Sequence, residues 1–180
     1  MSTTDLPSVT TPCPAAEGAV NAAPRLPDEQ ARAWLGFLAV HADITRALDA
    51  GLGAEFGLSL SALEVLARLA WAPDGRLRMT DLALGALLSQ SRVSRLVDQL
   101  ADRGLIVRTS CPSDSRGVFA HITDAGRELI GRALEWHWAQ VHTRFFATLS
   151  PDQVRELGAI WGGILGRPIG LEDATTCPNA

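Results

Sequence analysis

The order of apolar and polar positions divides the chain into a series of amphipathic helices, interrupted once by a stretch of strand-like alternation. From Asp28 onward Trp34, Leu35, Leu38, Ile44, Leu48 and Leu52 recur at helical spacing, which predicts a long first helix ending between Gly51 and Gly57. A second helix begins at Ser59 or Ser61 and runs to about Trp71. Ser61 with Glu64 has the spacing of a capping box, and Leu58-Ser59 is an equally good start. Pro73-Asp74-Gly75 breaks the helix, and Arg76 to Met79 has room for one rung of strand. Thr80 is then expected to cap a short helix through about Leu87 that buries Leu82, Ala83 and Ala86.

Val93, Leu96, Val97 and Leu100 fall at i, i+3, i+4 and i+7, so a further helix starting near Ser89 to Ser91 turns one stripe inward. Its other side carries Gln90, Ser91, Arg92, Arg95, Asp98 and Gln99. Arg103-Gly104 closes it, with glycine supplying a left-handed residue. The period then changes. Leu105 to Thr109 and Val118 to Ile122 are apolar and β-branched, and the intervening Cys-Pro-Ser-Asp-Ser-Arg-Gly is turn chemistry, which predicts a hairpin with a long tip. Thr123 caps a helix from Asp124 to about Phe146, and Ser150-Pro151-Asp152-Gln153 opens a last helix to about Leu165. Residues 1–27, with five of the ten prolines, and residues 166–180 read as disordered tails.

The fold class that follows is mainly α with a small β-hairpin wing (α+β). A short helix, a tight turn, a second helix and a hairpin, in that order, form a winged helix-turn-helix head over residues 58–123. The flanking helices occupy 28–57 and 124–165. A length of 180 residues fits one such domain, and 47% hydrophobic residues can fill its core.

Charge changes the picture once it is located. The net charge is −4, and all 16 basic residues are arginine, a bias that genome base composition explains as readily as chemistry. Between Arg76 and Arg116, however, seven arginines stand against four aspartates, so the basic segment coincides with the proposed head. An arginine fork matches the guanine edge and glutamine the adenine edge in a DNA major groove. Ser91 and Ser94, near the helix N-terminus, are placed to grip phosphates, and Thr80, Ser89 and Gln90 are expected on the same DNA-binding surface. At the hairpin tip Arg116 has the reach to enter a minor groove, with Asp114 holding its guanidinium. Double-stranded DNA is the expected partner.

Other chemistries find little footing. There is no GxSxG, HExxH or P-loop and no paired-carboxylate arrangement, so no enzyme and no cofactor are expected. The histidines are His41, His121, His137 and His142; the 137/142 pair is i, i+5 and shares no helix face well, so no metal site is expected. Three cysteines are too few and scattered for a disulfide framework. No apolar leader or membrane-length run is visible, which points to the cytoplasm. Two alternatives stay open. Cys111, beside Arg108 and Arg116, is placed for a redox-gated regulator, and the winged fold also serves as a protein–protein adaptor without DNA.

Met79-Thr80-Asp81-Leu82-Ala83, Ser91-Arg92-Val93-Ser94-Arg95-Leu96-Val97-Asp98-Gln99-Leu100, Arg103-Gly104-Leu105-Ile106 and Asp114-x-Arg116-Gly117 are followed by Ile122-Thr123-Asp124-Ala125-Gly126. Together with Leu58-Ser59 they resemble the MarR (multiple antibiotic resistance) regulators over roughly residues 30–165. The resemblance implies a triangular homodimer with interlocked N- and C-terminal helices and two heads facing one palindromic operator. It implies Ser91, Arg92, Ser94 and Arg95 as major-groove readers, and Arg116, supported by Asp114, as the wing arginine. Ser115 departs from the family's usual pair of adjacent wing arginines. The resemblance further implies repression released by a small aromatic or phenolic effector held between dimerisation helices and head. Residues of the right kind are Trp34, Phe37, His41, Glu64, Arg68, Trp71, Trp136 and His137, although the same aromatics would serve equally as core and seam filling.

Overall fold

A computed structural model of the chain describes residues 26–86, 88–111 and 114–167, apart from the side chains of 110–117. Leu87, Cys13, Cys177 and nearly all of both expected tails lie outside the described residues. The chain falls into two units, one up to Ala39 and one from Val40 onward. Helix α1 (Asp28–Phe56) runs through that boundary, and everything below concerns the second unit unless stated.

After α1 come α2 (Leu60–Trp71), a 3-10 turn (Pro73–Gly75), β1 (Arg76–Arg78), α3 (Met79–Gly85) and α4 (Gln90–Asp102). They are followed by β2 (Ile106–Cys111), β3 (Asp114–Ile122), α5 (Asp124–Arg144), a second 3-10 turn (Phe146–Thr148) and α6 (Pro151–Leu165). The strands form one antiparallel sheet in the order β1-β3-β2. The architecture is the expected winged helix-turn-helix with long flanking helices.

Local chemistry explains the boundaries. Ser59, not Ser61, starts α2: its Oγ accepts the Ala62 N–H at 3.1 Å, and Asp49 of α1 accepts the Leu60 N–H at 2.8 Å. Thr123 caps α5 by accepting the Gly126 N–H at 3.0 Å, while its own hydroxyl donates to Gly104 O at 2.8 Å. Ser150 and Gln153 form the predicted capping box of α6.

Two expectations are corrected. Thr80 is not a cap. Helix α3 already begins at Met79, because β1 ends at Arg78 and the chain must turn inward there; Thr80 Oγ1 instead bonds Asp81 Oδ1 at 3.2 Å. The hairpin tip is also shorter than its turn-like residues imply. The ladder continues through Ser110↔Val118 to Cys111↔Asp114, with a bulge between Ser110 and Cys111 that absorbs the unequal strand lengths. Backbone groups pair regardless of side-chain turn preference, so Cys111 and Asp114–Gly117 belong to strands.

The core is organised around α2. Val65, Leu66 and Leu69 meet Leu52 of α1, Leu82 of α3 and Val93, Val97 and Leu100 of α4. Ile106, Ala120 and Ile122 of the sheet and Ile130 and Ala133 of α5 complete it. Each fully buried leucine contributes roughly 1.5–3 kcal/mol. In contrast α6 contributes no buried residue and leaves Ile160, Ile164 and Leu165 exposed. No single helix among the described residues is long and apolar enough to cross a membrane.

Candidate nucleic-acid interface

Helix α4 presents the predicted face. Val93, Val97 and Leu100 point into the core, which leaves Gln90, Ser91, Arg92, Arg95, Asp98 and Gln99 exposed. Ser89 is its N-cap: the Oγ accepts the Arg92 N–H at 3.4 Å and lies 3.2 Å from Ser91 Oγ. The two outward arginines are lightly tethered. Arg92 Nη2 donates to Ser61 Oγ of α2 at 3.3 Å, and Arg95 Nε to Ser91 O at 3.3 Å.

Beside this face runs a groove of about 260 Å³ lined by Arg78, Met79 and Thr80, by Gln90 and Ser94 of α4, and by Arg108 and Val118 of the wing strands. Hydroxyl, amide and guanidinium groups thus gather at one opening, and among the described residues no acidic side chain lines it. Thr80, Gln90 and Ser94 were expected there; Arg78 and Arg108 were not. Arg108 braces the wing to α4, donating to Asp98 Oδ1 and, at 3.3 Å, to Ser94 Oγ. Ser94 is therefore half-buried beneath a wing arginine and less open than its neighbours. The signal for Arg108 lay in the strand alternation. Ile106 faces the core and Val107 is exposed, so Arg108, paired with Ala120, falls on the same face of β2 as Ile106, at its open edge within reach of Asp98 and Ser94 of α4.

Below the sheet, Arg76 and Arg78 of β1 each lie over the Phe119 ring, 5.7 and 5.3 Å from its centroid. The side chains of Asp114, Ser115, Arg116 and Cys111 lie outside the described residues; the backbone places them on the two wing strands.

A second concavity, about 210 Å³, lies between α2 and α5 and is lined by Leu63, Glu64, Ala67, Arg68, Trp71, Leu134, His137 and Trp138. Four of the effector candidates meet here: Glu64, Arg68, Trp71 and His137. Arg68 is largely buried and donates to Glu64 at 2.6 Å. Burial holds the His137 imidazole below its ordinary pKa of 6.5, and its buried Nδ1 has no hydrogen-bond partner. Trp138 joins them, a residue the sequence did not single out. Trp136 is elsewhere, edge-on to Phe56 with centroids 6.0 Å apart and its ring over Gly51. Its different face of α5 follows from the roughly 100° of helical rotation between positions 136 and 137. Trp34 and Phe37, with ring centroids 5.7 Å apart, belong to the unit ending at Ala39, and His41 is on α1 but does not line the cleft.

Comparison with known proteins bears on this geometry. The sequence model of the MarR family matches residues 56–117, which covers α2 to the wing. The structure is similar to that of Sco3205, a MarR family transcriptional regulator from Streptomyces coelicolor in complex with DNA: 34% identity, TM-score 0.72, covering 78% of this chain and 92% of that one. It is similar to CouR from Rhodococcus jostii RHA1 bound to p-coumaroyl-CoA, at 28% identity and TM-score 0.60, covering 76% and 94% of the two chains. In sequence, 83 residues are 32% identical to the uncharacterized HTH-type transcriptional regulator YkoM of Bacillus subtilis (strain 168). That match takes in 46% of this chain and about half, 53%, of the length of YkoM.

Proposed function

Because the chain belongs to the MarR family of transcriptional regulators, we propose that it is a homodimeric repressor of a palindromic DNA operator, released by a small aromatic effector. The observation that carries the DNA reading is the α4 face, with Gln90, Ser91, Arg92 and Arg95 exposed beside a groove that Arg78, Thr80, Gln90, Ser94 and Arg108 line with polar and cationic groups. Arg92 and Arg95 are the base readers, Ser89, Ser91 and Thr80 bind phosphates, and Arg116 with Asp114 serves the minor groove. Ser94 acts with them, partly by seating Arg108. The relative solved in complex with DNA supports DNA as the partner.

Dimerisation is supported by α6. A helix that buries nothing of its own and exposes Ile160, Ile164 and Leu165 gains stability by pairing with a second copy. Two-fold symmetry would set the reading helices about 34–36 Å apart, one turn of DNA. Residues 28–165 then work as one regulatory domain, with 58–123 as head and 28–57 and 124–165 as dimerisation helices. The regulator acts in the cytoplasm, where its DNA is.

The cleft of Glu64, Arg68, Trp71 and His137 is the effector site, and the p-coumaroyl-CoA relative supports a planar aromatic ligand. Release follows from linkage: an effector lowers operator affinity only as far as it prefers the dimer geometry that DNA does not. Fluorescence anisotropy with DNA from upstream of the protein's own gene, against random competitor at two salt concentrations, tests the proposal. One dimer bound to a palindrome, resistant to competitor and salt-sensitive, is expected. Equal affinity for random DNA would refute it.

A further inference from the structure

Arg103 occupies the C-cap of the reading helix, and its guanidinium does not face DNA-side groups. It reaches 46 residues back along the chain, donating through Nη1 to Gly57 O at 2.7 Å and through Nη2 to Phe56 O at 3.0 Å. We propose that Arg103 is a positioning residue for operator recognition: it fixes the pitch of α4 against the end of α1, so that a shift of the dimerisation helix becomes a tilt of the reading helix. The inference rests on the reading of the chain as an operator-binding regulator, and it adds a residue that neither touches DNA nor lines the effector cleft.

Both ends of this tie are held. Helix α1 has no basic residue in its last turn, so its terminal carbonyls lack the cation that commonly neutralises a helix C-terminus. Backbone bonds from Gly57 N to Gly53 O and from Leu58 N to Leu52 O satisfy the carbonyls one turn back. The last two, of Phe56 and Gly57, are taken by Arg103. At the other end, Gly104 adopts φ +71°, its N–H bonds Ala101 O at 2.8 Å, and Leu105 N–H bonds Leu100 O at 3.0 Å. Thr123, the α5 cap, grips Gly104 O at 2.8 Å. Three helices and the base of the wing therefore meet at the Arg103–Leu105 corner. Two separate guanidinium nitrogens on two successive carbonyls fix direction as well as distance, which a single-pronged contact would not.

The lever is long relative to the tolerance at its end. At ~1.5 Å per residue Arg92 lies about 16 Å along α4 from Arg103, so a tilt of about 5° displaces it by about 1.4 Å. Hydrogen bonds to base edges span a range of only about 0.5 Å in donor–acceptor distance, so such a tilt breaks them. Phosphate contacts from flexible side chains adapt more readily. Loosening the corner should thus cost sequence discrimination before it costs general affinity.

The test compares the wild-type dimer with Arg103→Met, which keeps the stem, and Arg103→Lys, which keeps one cation, at a temperature where all three are folded. Operator and random DNA are titrated across a salt series. Arg103→Met is expected to lose about tenfold in operator affinity, the loss of one well-aligned base contact, with random-DNA affinity and the salt slope unchanged. Arg103→Lys should recover part of that loss. A slope shallower by about 0.9 would make Arg103 a phosphate contact and overturn the proposal. Wild-type operator affinity in Arg103→Met, or an equal loss on both DNAs, would overturn it as well. A wild-type dimer with no preference between the DNAs would instead overturn the operator-binding reading, and this proposal with it.

Discussion

Two glycines of α5 offer the same substitution in opposite surroundings. A Cβ on Gly126 would lie 2.3 Å from Leu105 O and 2.8 Å from Ile122 Cγ1, whereas a Cβ on Gly131 meets nothing within 4 Å. An ordinary C···O contact is about 3.3 Å, so Gly126→Ala must open the α5–β2 junction by about 1 Å. Leu105 O also accepts the Thr123 N–H at 3.0 Å, and an opening of that size breaks this bond. Overpacking of about 1–3 kcal/mol and a lost hydrogen bond of about 1 kcal/mol outweigh the roughly 1 kcal/mol that alanine gains over glycine in a helix. The net expectation for Gly126→Ala is about 1–3 kcal/mol of destabilisation. Gly131→Ala keeps only the favourable part, about 0.5–1 kcal/mol. Chemical denaturation of both variants reads the difference directly, because helix propensity changes alike in each. If Gly126→Ala were as stable as Gly131→Ala, the close approach of α5 to Leu105 would be wrong.

Four further outcomes are expected. Arg116→Ala should weaken operator binding strongly in anisotropy while gel filtration still reports a dimer; unchanged affinity would remove Arg116 from the interface. Arg95→Ala should reduce operator-over-random discrimination by about 1–3 kcal/mol, and an equal loss on both DNAs would make Arg95 a phosphate clamp. A double-mutant cycle of Asp98→Ala and Arg108→Ala should give a coupling of about 0.2–1 kcal/mol in unfolding, as befits a partly exposed pair, and zero coupling would dissolve the brace. For His137, burial lowers the folded-state pKa, so the unfolded chain binds its proton first: stability is full above the ordinary value of 6.5 and falls as pH drops through it. In His137→Gln that acid-side loss should shrink between about pH 7.5 and 5 in urea midpoints, and an identical pH profile would discount the burial.

The boundaries of α2, α4 and α6, the exposed face of α4 and the capping box at Ser150 were legible because each depends on local spacing. What was not legible depends on distance across the fold. The strand ladder at Cys111↔Asp114 overrides turn-type side chains because backbone pairing ignores them. Thr80 looked like a cap because it is the right residue type, but where β1 ends decides where α3 starts. The effector candidates were chosen by type, and α5 separates them by phase: His137 faces the cleft and Trp136, one residue away, faces α1.

The arginines show the same limit most clearly. In the sequence helical phase sets Arg92 and Arg95 apart, but nothing says what Arg103 and Arg108 of the same basic segment bond to. In the structure they differ in what it would take to redirect them. Arg103 holds two carbonyls at 2.7 and 3.0 Å, and Arg108 bonds both Asp98 and Ser94. Arg92 and Arg95 each have one 3.3 Å contact to a neutral oxygen on the exposed surface, worth little net free energy. Those two can turn to DNA at almost no cost, while the other two would surrender bonds that hold the head together. A salt slope counted at ~0.9 per arginine of the basic segment therefore overstates the DNA contacts. On the proposed reading, part of that charge meets the DNA, and part of it sets the angle at which the rest arrives.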